Sequence, residues 1–150
     1  MSVWTDPADL RKWALGIEVT KASGTLAAET KALFTVSGRV MVTSFYGVVT
    51  TAITVANSFK LQHNPTTGAT SDLVAATDIG TTDTPIGNVV GFSGVKTASI
   101  VHGPGSAPTL TAGLVMTAGS IEQVSAGTDG AITWYLTYVP LDASATVVAA

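Results

Sequence analysis

The end of the chain carries the plainest alternation of apolar and polar positions. In Ala131–Val139 the residues Ile132, Trp134, Leu136 and Tyr138 share one face, and Thr133, Tyr135, Thr137 and Val139 share the other. That period of two predicts a strand buried on one side, with Trp134 as a core anchor and Pro140 as its stop. Shorter runs of the same kind precede it. Lys31–Val36 predicts a strand with Ala32, Phe34 and Val36 on one face. Arg39–Val55 predicts a long β-rich segment in which Gly47 marks a bulge or a corner between sheets. Further strands are predicted at Phe59–His63, at Asp72–Ala76, within Asn88–Val95, within Thr97–His102, at Thr109–Thr117 and at Ser120–Ser125.

Between these runs stand turn-forming clusters: Asn64-Pro65-Thr66-Thr67-Gly68, the polar stretch Asp78–Pro85, His102–Pro108 and Gly127-Thr128-Asp129-Gly130. Eight to ten short strands at such spacing predict an all-β single domain, a β-sandwich or jelly roll or a barrel-like fold, over residues 30–150. Residues 1–29 read as an N-terminal arm. Asp6 or Thr5 suits a helix cap, Pro7 the first turn and Gly16 the stop. Lys21–Thr25 reads as a linker. Leu10, Trp13 and Ala14 form an apolar stripe on a helix too short to stand alone. Either its own β-domain or a neighbouring subunit must cover that stripe. The exposed-anchor reading makes Trp4, Leu10 and Trp13 candidate contacts with a subunit or shell. The competing use of Trp4 and Trp13, with Tyr46, Tyr135 or Tyr138, is as a stacking platform for sugar.

Charge narrows the function. Only 11% of the 150 residues are Asp, Glu, Lys or Arg, against roughly 25% in an ordinary soluble domain. The seven Lys and Arg are scattered and the net charge is -3, which argues against nucleic acid as a partner. No apolar run approaches the ~18 residues of a spanning helix, so no membrane partner is expected, and the first residues lack the basic start of a secretory signal.

Chemistry-bearing constellations are sparse. With no Cys and with His63 and His102 far apart, a zinc site has no ligand set. Asp78 and Asp83 lack calcium-loop spacing. Gly-x-Ser-x-Gly does not occur, and Gly103-Pro104-Gly105-Ser106 lacks the Lys of a phosphate loop. The ten carboxylates show no paired spacing that favours glycoside hydrolysis. The expectation is a protein without catalytic residues or cofactor.

Three stretches carry a resemblance. They are Thr30–Thr43 (TKALFTVSGRVMVT), Lys60–Gly68 (KLQHNPTTG) with Asp72-Leu73 and Asp78-Ile79 after it, and Gly130–Asp142 (GAITWYLTYVPLD). In order and together, over about residues 30–150, they resemble a family of tailed-bacteriophage virion structural proteins, in particular small head decoration proteins. The resemblance implies a homotrimer on the outer surface of the head. Its partner there is the major capsid protein, and its task is to stabilise the shell. The alternative is a tail or fibre-associated β-module that binds host-surface glycan. Residues 1–29 lie outside the resemblance, and it supplies no catalytic residue.

Overall fold

The computed structural model describes residues 6–92, 95–109 and 113–150. One helix, α1 (Pro7–Leu15), precedes eleven strands: β1 (Ile17–Thr25), β2 (Glu29–Ser37), β3 (Val40–Thr51), β4 (Ser58–Pro65), β5 (Ser71–Asp78), β6 (Asn88–Phe92), β7 (Ile100–Pro104), β8 (Leu114–Met116), β9 (Gly119–Ser125), β10 (Ala131–Pro140) and β11 (Thr146–Ala149). The first sheet has the order β1-β10-β3-β6-β7, with β8 also paired to β3; the second has the order β11-β2-β9-β4-β5. All strand pairs are antiparallel. The sheets pack face to face as a sandwich and do not close into a barrel.

The core lies between them. From β10, Ile132, Trp134, Leu136 and Tyr138 all point inward and are buried, as the alternation predicts. Trp134 is 1% exposed. It stacks on Phe59 of the opposite sheet at 5.8 Å and meets Phe45 edge-on at 5.5 Å. Its indole N–H donates to the Gln123 side-chain oxygen at 3.3 Å, so the polar end of the ring is not left unsatisfied. Phe45 also packs on Phe34 and Phe92. All four phenylalanines of the chain therefore join Trp134 in one connected group.

Several local expectations are corrected. Gly47 is neither a bulge nor a corner, because β3 continues through it in register with Trp134. A Cβ at Gly47 would lie 2.6 Å from Ile132 Cγ2 and 3.0 Å from Trp134 Cε3; the glycine leaves room for the indole. The bulge sits at Thr43, where the register slips between Thr137 and Tyr138. It switches the inward residues of β3 from Val40 and Val42 to Phe45 and Val49. A second bulge at Leu33 breaks the expected face of β2. Leu33, Phe34 and Val36 are buried while Ala32 is exposed.

The expected linker Lys21–Thr25 belongs to β1, so the strand begins inside the segment read as an arm. Its small polar residues fit because Ser23 is buried. The Ser23 hydroxyl accepts from Ile132 N–H at 3.0 Å where the β1–β10 register shifts. The loop expected at His102-Gly103-Pro104 is the end of β7, and the small apolar tail supplies β11 against β2.

Gly47→Ala tests the account of the core. The added methyl meets a branched side chain and an indole, neither of which swings aside, so the variant should lose about 1–3 kcal/mol. Urea unfolding should show a lower midpoint at unchanged slope.

Candidate interaction surface

The outward faces of the two sheets differ in kind. On the second sheet, polar side chains are tied to one another. The Glu122 carboxylate accepts from Gln62 at 2.7 Å, Asn64 at 3.1 Å and Ser120 at 2.6 Å, and Lys60 pairs with Asp72 at 2.8 Å. Burial pushes the Glu122 carboxyl up, but these three bonds outweigh it and hold it below its ordinary value.

The first sheet presents cross-strand rows of another composition. Ala22, Thr133, Val48 and Val89 lie in register, as do Thr20, Tyr135 and Tyr46, then Glu18, Thr137 and Ser44, then Val139, Met41 and Val115. Glu18 is the one charge in these rows. Near the middle Tyr46 and Tyr135 stack at 5.1 Å and 14°. Burial, and then the neighbouring Glu18 carboxylate, raise the Tyr46 hydroxyl above its usual value.

Helix α1 stands at one end of this face. Asp6 caps it by accepting from Ala8 N–H at 2.8 Å, and Gly16 ends it with its N–H bonded to Lys12 O at 2.9 Å. Gly16 has φ 106°, and a Cβ there would meet Tyr138 O at 2.5 Å, so the chain turns into β1 only with glycine. Thr43, the bulge residue, donates its hydroxyl to Leu15 O at 3.0 Å. None of the helix residues is buried. Two grooves flank it. One of about 610 Å³ runs between Arg11, Leu15 and the strand residues Glu18, Met41, Tyr46 and Val139; the other, of about 420 Å³, lies between Trp13 and Ile17, Tyr138 and Pro140.

The candidate contacts fall as follows. Leu10 is 48% and Trp13 86% exposed on α1, so the sandwich leaves most of the apolar stripe uncovered. Trp4 lies outside the described residues. Of the tyrosines weighed as a platform, Tyr46 and Tyr135 share the outward face, whereas Tyr138 points inward and is buried. The alternation of β10 marked Thr133, Tyr135, Thr137 and Val139 as one face. No sequence signal brought Arg11 and Glu18 together at its end.

At the opposite end, aspartates clamp loops. Asp78 accepts from the Thr81 hydroxyl and from the backbone N–H of Gly80, Asn57 and Thr81. Asp129 accepts from the Thr54 hydroxyl at 2.7 Å, Thr54 N–H at 2.9 Å and Val55 N–H at 3.2 Å. These bonds, the threonine hydroxyl first in each case, hold both carboxyls below the ordinary range. Among the described residues no three His, Asp or Glu side chains gather in metal-binding geometry. Buried His63 rests its Nε2 3.1 Å from Thr117 O, and burial pushes its pKa down, against the pull of that bond. Comparison with protein-family models, curated proteins and solved structures found no match to this chain.

Two pH effects follow from these shifts. A carboxyl depressed in the folded state contributes stability above its unfolded value and loses it as pH falls. Asp78→Asn should lower Tm at neutral pH and make the acid-induced fall in Tm below about pH 4 shallower than in the unaltered protein. His63 is held neutral by the fold, so its contribution is complete above about pH 6.5 and declines below it. A pH series of thermal melts should show that decline, and His63→Gln should remove it.

Proposed function

We propose that the chain is a structural protein of a tailed-bacteriophage virion: a β-sandwich, trimeric in place, that decorates the outer surface of the head and braces its shell. The observation that carries this reading is the outward face of the first sheet, with one charge in its paired rows and a helix at its end whose apolar residues Leu10, Trp13 and Leu15 are exposed. Interface cores are depleted of charged residues, and a face with a single charge docks on a neighbour at little cost in stripping water from ions. The major capsid protein is the partner this reading assigns to that face. The sequence resemblance over residues 30–150 supports the same assignment.

A role without catalysis agrees with how the carboxylates are used. Asp78, Asp129 and Glu122 have their oxygens engaged by neighbouring donors, and Asp142 is held by Arg39 at 2.7 Å. The glycan-binding alternative draws on Tyr46 and Tyr135. Their rings stack on each other, so each already has one face covered, which leaves little platform for a sugar.

Quantitative gel analysis of the purified virion against the major shell protein tests the proposal. Near one copy per shell subunit is the expected result. A handful of copies would overturn it and move the protein to the tail.

A further inference from the structure

We propose that α1 is a hinged wall of the larger groove, able to swing away from the first sheet about Gly16, and that the Thr43 hydroxyl is the latch that holds it in place. The motion belongs to the free chain and rests on no partner, which takes it beyond the function proposed above. The helix supplies one side of the groove through Arg11, Ala14 and Leu15, and Met41, Tyr46 and Val139 supply the other. Yet α1 buries none of its residues. Its ion pair, Lys12 with Asp9, lies within the helix itself. Among the described residues a single hydrogen bond ties α1 to the sandwich, from the Thr43 hydroxyl to Leu15 O at 3.0 Å.

The two sides of Gly16 differ in firmness. After it the chain is strand, and Ile17 opens β1 in register with Tyr138. Before it stands a helix of nine residues, too short to keep its own hydrogen bonds once it leaves the sheet. Gly16 joins them at φ 106°, with no side chain to limit rotation, and a hinge needs only a few such residues to absorb the change in φ and ψ. The latch opens without leaving a polar group unpaired. The Thr43 hydroxyl carries one proton and has two carbonyls within reach, Leu15 O at 3.0 Å and Thr137 O at 3.3 Å. When α1 leaves, the proton turns to Thr137 O and water takes Leu15 O. The bulge places Thr43 between the two carbonyls, where no residue of β10 pairs with it. With α1 in place the groove has two walls; with α1 away, the same strand residues form an open shelf.

Residue-resolved hydrogen exchange on the full chain tests this, because a helix that leaves the sheet also unwinds and exposes its amides. The amides from Ala14 to Gly16 should exchange about a hundredfold faster or more than those at the centre of β10. Thr43→Val keeps the shape of the side chain and removes the hydroxyl. It should speed exchange in α1 about threefold to tenfold while β10 keeps its rate. Thr43→Ser keeps the hydroxyl and should stay close to the parent rate. Amides of α1 as protected as those of β10, a Thr43→Val variant with unchanged exchange in α1, or a Thr43→Ser variant as fast as Thr43→Val would each overturn the inference. Equal acceleration throughout β10 would overturn it as well, since the hydroxyl would then support the sandwich and not the helix alone. None of these results bears on the copy number in a virion, so the two proposals fail independently.

Discussion

Trp134 and the space kept for it organise the molecule. Its ring is the one large side chain that stacks flat on the opposite sheet, at Phe59, and it also meets Phe45 edge-on. Through Phe45 the contact passes to Phe34 and Phe92. Each aromatic pair adds about 0.5–1.5 kcal/mol beyond the area it buries, and the group spans β2, β3, β4, β6 and β10. Gly47 supplies the room on the neighbouring strand, and Gln123 supplies the acceptor for the indole N–H. Once β10 is fixed this way, its other face is fixed too, so the Thr and Tyr rows outside are the reverse side of the same constraint.

That reverse side was legible in the sequence, because strict alternation over Ala131–Val139 needs no knowledge of partners. The helix was legible for a similar reason, since Asp6, Pro7 and Gly16 act locally. The failures have a common cause. A bulge at Leu33 or Thr43 inserts one residue and reverses the parity of every side chain beyond it, and only the opposing strand determines where it falls. Lys21–Thr25 looked like a linker because its residues are small and polar, but its partner is β10, more than a hundred residues away. The candidate surface was half legible. Leu10 and Trp13 stood out as an unpaired stripe, whereas the placing of Arg11 and Glu18 along one groove, and the stacking of Tyr46 on Tyr135, depend on strand order.

Scarce charge is put to specific use. Asp78 and Asp129 replace absent loop hydrogen bonds at one end of the sandwich, and Arg39 with Asp142 joins two chain segments at the other. The outer strands are also closed off. Lys21 reaches Ala150 O between β1 and β11, and backbone bonds from Thr97 to Leu73 and from Ala75 to Ala98 cover β5. An edge of Val and Thr left bare would invite pairing with other chains; here side chains and short connections occupy those edges.

The pairing of the two ends of the chain has a consequence for its birth. β1 and β3 find their partner in β10, and β2 finds its partners in β9 and β11. During synthesis at about 5–20 residues per second, the first fifty residues emerge and wait for the last thirty, a delay of about 5–20 seconds. Throughout it, strands rich in Val, Thr and Ala stand without the neighbours that cover them. The period of greatest exposure to misassociation thus comes on the ribosome, and whatever protects the nascent chain must act before the last strand arrives.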